Sequence, residues 1–216
     1  MSAEVVHTAE VRWFFEGPVP DEAVAWFDPL GALSPDVRTD RYLVLPGCET
    51  VGVKERDGRF EIKARKGSVE VMDLPEPFEG YLDRWVKWSY GEPPVAAWIR
   101  ALRRESAGWI AVEKARRLRV FQSGEIAASG EDDAECRHLY CAAELTEVRV
   151  GGRPWWTVGL EAVEPPGRLC RTLATAAESF CRRAAAPGAF AAVNSMAYPA
   201  WLHRAVDRAD SDSEIC

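Results

Sequence analysis

The sequence predicts an α+β domain in which about eight antiparallel strands are followed by helices. Alternating polar and apolar runs recur along the first 163 of its 216 residues, as expected for strands with one buried face. Asp57-Gly58 and Gly151-Gly152 each separate two such runs and are typical of two-residue hairpin turns. Residues 168–186 instead place apolar side chains at helical spacing. Strands first and helices last are the pattern of an α+β domain.

The first strand is predicted over residues 4–15, where Glu10 and Arg12 lie on one face because side chains alternate. Pro20-Asp21-Glu22 then provides a helix start, so a short helix is expected at 23–27. The same alternation, with turn residues in between, predicts further strands at 37–46, 49–56, 59–66, 68–72 and 80–90.

The second half begins with Pro93-Pro94, which favours a short helix through about Arg104. Strand patterning then resumes until Pro165-Pro166 ends it. Helical spacing predicts two more helices, at 168–186 and 198–208. The strands of this half are predicted at 108–121, 124–129, 136–149 and 154–163.

Paired basic residues mark three of the predicted strands. Each strand has a Lys-x-Arg pair whose two side chains point to the same face. These pairs are Lys54 and Arg56, Lys63 and Arg65, and Lys114 and Arg116. Three such strands indicate a sheet or barrel lined for a polyanion. The alternative is a set of solvated strand faces, because exposed and edge strands also carry Lys and Arg.

The overall composition narrows the class of partner. The net charge is -7 and the pI is about 5.2, so double-stranded nucleic acid is not expected as a partner. The sequence shows neither a secretory leader nor an apolar run of membrane length, so no membrane partner is expected. The six cysteines lack C-x-x-C spacing, which disfavours a zinc site. We therefore expect a cytoplasmic protein with reduced thiols.

The order of several short motifs is more informative than any one of them. The motifs are Asp40-Arg41-Tyr42-Leu43-Val44-Leu45-Pro46, Val53-Lys54-Glu55-Arg56, Phe60-Glu61-Ile62-Lys63, Lys114-Ala115-Arg116, Ala143-Glu144-Leu145-Thr146 and Val158-Gly159-Leu160-Glu161. In this order and spacing, residues 4–163 resemble the CYTH superfamily, the triphosphate tunnel metalloenzymes related to thiamine triphosphatase and class IV adenylyl cyclase.

The resemblance implies an antiparallel eight-stranded β-barrel, or tunnel, with flanking helices. Residues 1–163 would form this barrel, residues 164–209 would be C-terminal helices packed on it, and residues 210–216 would be a flexible tail. The resemblance also implies that cations inside the tunnel bind phosphate. The residues predicted to do so are Arg12, Lys54, Arg56, Lys63, Arg65, Lys114 and Arg116.

Only half of the acidic positions that bind divalent metal in this family are retained. Where the family has Glu-x-Glu-x-Lys, this chain has Glu10, Arg12 and Phe14. Thr146 and Gly159 stand at two further acidic positions. The resemblance therefore implies a single Mg²⁺ or Mn²⁺ completed by substrate oxygens, or no metal. The predicted ligands are Glu10, Glu144 and Glu161.

The predicted function is binding of a phosphorylated small molecule or a polyphosphate, with phosphoanhydride hydrolysis weakened or altered. Arg12 is expected either to contact a phosphate or to pair with Glu144 or Glu161. The alternative is a module without catalysis that binds an anion or a protein partner. A carrier with an apolar lumen is a third interpretation, which places the paired cations outside. The sequence leaves open whether the chain is an enzyme, and no catalytic residue is assigned.

Overall fold

In the described part of the chain, eight strands close into an antiparallel β-barrel that is flanked by three α-helices, so the predicted fold class is confirmed. The computed structural model describes residues 4–29, 31–91, 108–122, 140–163, 169–181, 186–188 and 190–213. Within them, the strands are β1 (Glu4–Glu16), β2 (Asp36–Leu43), β3 (Val51–Arg56), β4 (Arg59–Arg65), β5 (Glu70–Met72), β6 (Gly80–Tyr90), β7 (Trp109–Gln122), β8 (Tyr140–Val150) and β9 (Arg153–Val163). The helices are α1 (Asp21–Phe27), α2 (Leu169–Cys181) and α3 (Tyr198–Ser213).

Every strand of the ring pairs with an antiparallel neighbour on each side. The order around the barrel is β1, β9, β8, β7, β2, β3, β4 and β6, and β6 pairs back to β1. The short strand β5 pairs with the first residues of β6 and lies outside the ring. Closure means that no strand of the ring is an edge strand, although β2 pairs with β3 over only three residues, 41–43.

Two hairpin turns have the backbone that their dipeptides predict. Asp57 and Gly58 have φ values of 50° and 76°, and the pair Gly151-Gly152 has 56° and 79°. Positive φ at both central residues is what a tight hairpin turn of this kind requires. The first turn sets the register of β3 and β4, in which Lys54 lies opposite Glu61.

Alternation along β1 separates the barrel interior from the helix-covered outside. Glu10 and Arg12 line the interior, whereas Val11 and Trp13 belong to an apolar cluster on the outer face. The outer faces of β1, β8 and β9 form this cluster together with α1 and α2. Each large side chain buried there stabilises the fold by roughly 1.5–3 kcal/mol.

Helix α3 closes one end of the barrel. Its Trp201 stacks on Phe14 with ring centroids 4.6 Å apart and meets Trp155 edge-on at 6.0 Å. Tyr198, the first residue of α3, lies parallel to Tyr42 of β2 with centroids 5.5 Å apart. The start of α3 therefore forms part of the wall of the barrel interior.

Some predicted elements lie outside the described residues. They are the helix from Pro93 to Arg104, the strand at 124–129 and the first four residues of the strand predicted at 136–149. Helix α3 runs to Ser213, into the segment predicted as a tail. In the described part of the chain, no helix has the length and apolar character needed to cross a membrane.

Candidate functional site

A cavity of about 190 Å³ lies inside the barrel, next to the first turn of α3. Charged side chains line it, and each strand of the ring contributes at least one. The basic ones are Arg12, Arg38, Lys54, Arg56, Lys63, Lys87, Lys114 and Arg116. The acidic ones are Glu10, Glu61, Glu144 and Glu161.

Asp40, on β2, holds three of these cations. Its buried carboxylate accepts hydrogen bonds from Arg56 Nε at 2.7 Å and Arg56 Nη2 at 3.0 Å. Lys114 Nζ lies 2.9 Å from the same carboxylate, and Arg38 Nε lies 3.5 Å from it. Burial alone would raise the pKa of Asp40, but Arg56 and Lys114 outweigh it and hold the pKa well below its usual range.

Lys63, on β4, bridges two carboxylates. Its Nζ lies 3.2 Å from Glu10 on β1 and 2.9 Å from Glu161 on β9. These two glutamates lie directly opposite each other in the β1–β9 pairing. Burial would lower the pKa of Lys63, but the two carboxylates outweigh it and raise the pKa. One ammonium group therefore contacts both acidic side chains and offsets one of their two negative charges.

Arg12 is held between Glu144 and Gly159. Its Nη2 donates to Glu144 Oε2 at 2.9 Å, and Arg116 Nη1 donates to Glu144 Oε1 at 3.1 Å. The guanidinium lies so close to Gly159 that a Cβ atom there would be 2.5 Å from Arg12 Cζ. Burial would raise the pKa of Glu144, but Arg12 and Arg116 outweigh it and lower the pKa to about 2. Pairing with Glu144 is one of the alternatives predicted for Arg12.

Two lysines of the cavity titrate close to physiological pH. Burial lowers the pKa of Lys54 and of Lys114 to about 8, although carboxylates lie beside both. Lys54 contacts Glu61 across the first hairpin, and Lys114 donates a hydrogen bond to Tyr42 Oη at 2.6 Å. The positive charge of the cavity therefore depends on pH near 8.

Aromatic faces stabilise two of the cations. Lys114 Nζ lies 4.1 Å from the ring centroid of Tyr198 and 4.8 Å from that of Tyr42. Arg12 Cζ lies 5.2 Å from the Tyr198 centroid. Both cations thus face the π electrons of Tyr198, and this attraction stabilises their positive charge.

Arg65 does not line the cavity. It shares a strand face with Lys63, but its Nε lies 2.6 Å from Asp83 on β6, and its guanidinium covers the Trp85 ring at 5.2 Å. Burial raises the pKa of Asp83 to about 6, even with Arg65 beside it. The charge of Arg65 is therefore paired beside the cavity rather than presented to it.

Several buried polar groups of the wall have no hydrogen-bond partner among the described residues. They are Arg12 Nε and Nη1, Arg38 Nε, Arg116 Nε, Trp85 Nε1 and Thr146 Oγ1. A buried polar group without a partner costs about 1–3 kcal/mol. An occupant whose acceptor oxygens reached these groups would offset that cost.

Most residues singled out from the sequence come together in this cavity. Six of the seven predicted phosphate-binding cations line it, as do the three predicted metal ligands. The carrier with an apolar lumen is wrong, because these cations face inwards. The alternation of side chains could have identified two more charged residues of the site, because Arg38 and Asp40 lie on the same face of β2 as Tyr42. The charged residues that sequence analysis missed are Arg38, Asp40, Glu61 and Lys87.

The three predicted metal ligands do not present one open site. Lys63 lies between Glu10 and Glu161, and Arg12 binds Glu144. Among the described residues, no three acidic, His or Cys side chains converge closely enough to hold a metal ion. A divalent ion would meet an ammonium and a guanidinium at these carboxylates, so the residues as arranged do not fit Mg²⁺ or Mn²⁺.

Comparison with known proteins does not identify the chain. No family model matches the sequence, and no curated protein does. Among solved structures, a conserved hypothetical protein from Pyrococcus furiosus is similar over 79% of this chain and 89% of its own, at 13% identity and a TM-score of 0.33. A likeness of this size carries no conclusion about function.

Proposed function

We propose that the barrel binds a phosphorylated small molecule or a polyphosphate in its cavity, as a divergent CYTH-type tunnel protein. The observation that carries the proposal is the charge of the wall. Eight cations face four carboxylates there, and two more carboxylates, those of Asp40 and Asp36, contact cations of the wall, which leaves two cations in excess. Like charges in an enclosed site are costly unless an anion neutralises them.

Phosphate suits this wall better than a single carboxylate does. Its oxygens accept several hydrogen bonds at once, and Lys and Arg bind them through charge-assisted bonds. Each such contact contributes roughly 1.5–3 kcal/mol. Lys87 is well placed for one, because it lines the cavity and forms no ion pair with any described residue.

The arrangement supports binding more strongly than metal-assisted hydrolysis. The carboxylates that would hold a metal in the family are engaged by Lys63 and Arg12. Metal-dependent hydrolysis is therefore expected to be weak or altered, and the second candidate is a module without catalysis that binds an anion or a protein partner. A phosphate-release assay with tripolyphosphate and Mn²⁺ separates the two. Turnover that a chelator abolishes would favour the enzyme.

Calorimetry with tripolyphosphate should detect binding that weakens as salt is added, since salt screens the partly exposed cations. Lys87→Ala should weaken it about tenfold, the loss of one charge-assisted contact. Arg149→Ala is the matched control, because it removes one charge from a side chain that is 55% exposed. Equal weakening by both variants would place the ligand outside the barrel. No heat and no thermal shift with tripolyphosphate would refute the proposal.

The affinity for tripolyphosphate should fall as the pH rises through about 8. Lys54 and Lys114 lose their protons there, and a bound polyanion favours the protonated forms. Binding should therefore take up protons above pH 8 and few below it. Calorimetry in buffers of different ionisation enthalpy measures this uptake. Lys54→Gln should reduce it, whereas uptake identical in both proteins would assign it to the ligand alone.

A further inference from the structure

Two cations of the protein stand at the carboxylates that were predicted to bind a metal. Lys63 Nζ lies within 3.2 Å of both Glu10 and Glu161, and Arg12 Nη2 lies 2.9 Å from Glu144. Both cations come from barrel strands, β4 and β1. Their positive charge is therefore built into the wall and does not depend on any ion from solution.

Arg12 has hydrogen-bonding capacity beyond its ion pair. Glu144 uses Nη2, whereas Nε and Nη1 have no partner among the described residues. The side chain lines the cavity although only 3% of it is exposed. Gly159 provides the space for the guanidinium, and the Tyr198 ring lies beside it. The fold thus fixes a planar cation with two unused donors at the cavity.

We propose that Arg12 and Lys63 take the place of a divalent metal, so that the cavity binds phosphate oxygens without Mg²⁺ or Mn²⁺. The inference rests on the proposed function and specifies its cation requirement. Arg12 donates to phosphate oxygens through Nε and Nη1, as guanidinium groups do in phosphate sites. Lys63 offsets one of the two negative charges of Glu10 and Glu161, which weakens their repulsion of the anion.

The test is calorimetry of the full chain with inorganic tripolyphosphate, once with EDTA and once with excess Mn²⁺. Tripolyphosphate should bind in EDTA at least as tightly as with Mn²⁺. Electron paramagnetic resonance of free Mn²⁺ should show no loss of signal when the protein alone is added. Both measurements use the wild-type protein, so neither depends on whether a variant folds.

Variants then assign the role to Arg12. Arg12→Met keeps most of the length and removes the donors, and in EDTA it should weaken binding about tenfold or more. Arg12→Lys keeps the charge but loses the planar guanidinium and its paired donors. It should therefore bind more tightly than Arg12→Met and less tightly than the wild type. Arg149→Met, at an exposed position, should bind like the wild type. Thermal unfolding of each variant confirms that it is folded.

The outcomes distinguish this inference from the function on which it rests. Binding that requires Mn²⁺ would overturn the inference and leave the proposed function standing. Binding in EDTA that is unchanged in both folded Arg12 variants would overturn it as well. Absence of binding under both conditions would overturn the proposed function.

Discussion

Replacing Asp40 by asparagine is expected to lower the free energy of unfolding by about 3–5 kcal/mol, the usual effect of removing one partner of a buried ion pair. The carboxylate is fully buried and holds Arg56 at 2.7 Å and Lys114 at 2.9 Å. Without it, these cations and Arg38 face one another with too little negative charge. Urea denaturation followed by tryptophan fluorescence measures the loss.

Asp36→Asn provides the control on the same strand. Asp36 also contacts two arginines, Arg38 and Arg116, but its side chain is 53% exposed. An exposed ion pair contributes at most about 1 kcal/mol, so this variant should remain close to the wild type. If Asp40→Asn were no less stable than Asp36→Asn, the cations around Asp40 would not depend on its charge.

The Asp40 carboxylate also makes the free energy of unfolding depend on pH. The pKa of Asp40 is lower in the folded protein than in the unfolded chain, so the unfolded chain binds more protons as the pH falls. The stabilisation is complete above the unfolded pKa of about 4 and decreases below it. The stability difference between the wild type and Asp40→Asn should therefore shrink in acid, and a constant difference would contradict this account.

The barrel could be predicted because its sequence signals are local. Alternation along β1 separates Glu10 and Arg12 from Val11 and Trp13, and the structure places them on opposite faces. Asp57-Gly58 requires only its own backbone to specify a turn. Each of these signals depends on residues that are close in sequence, and closure of the ring then brings together the faces they define.

The pairing of charges inside the barrel could not be predicted in the same way. Lys63 meets Glu161 98 residues away, and alternation gives the face of each but not the distance between them. The sequence identified Asp40 only as part of a motif and not as an ion-pair partner. The three cations that contact it lie on three different strands, β2, β3 and β7. The contact between Arg12 and Gly159 leaves no sequence signal, since a glycine can indicate a turn, a bulge or a close approach.

That contact makes the effect of Gly159→Ala depend on Arg12. In the wild type, a Cβ atom at 159 would lie 2.5 Å from Arg12 Cζ and 2.7 Å from Nη2. The guanidinium must shift from Glu144, and we expect a loss of about 1–3 kcal/mol, as for other overpacked sites. In an Arg12→Ala background the space is empty, and alanine in a strand is favoured over glycine by up to about 1 kcal/mol.

A double-mutant cycle measured by urea denaturation therefore tests whether Arg12 occupies the space of the missing side chain. The coupling energy, which is the loss in the wild-type background plus the gain in the Arg12→Ala background, should be at least about 1 kcal/mol, as is found for residues in direct contact. Gly52→Ala is the comparison, because its Cβ would approach only Pro199 Cγ, at 3.3 Å, and should not be coupled to Arg12. Equal losses for Gly159→Ala with and without Arg12 would show that the guanidinium lies elsewhere, and the metal-replacing role of Arg12 would lose its geometric basis.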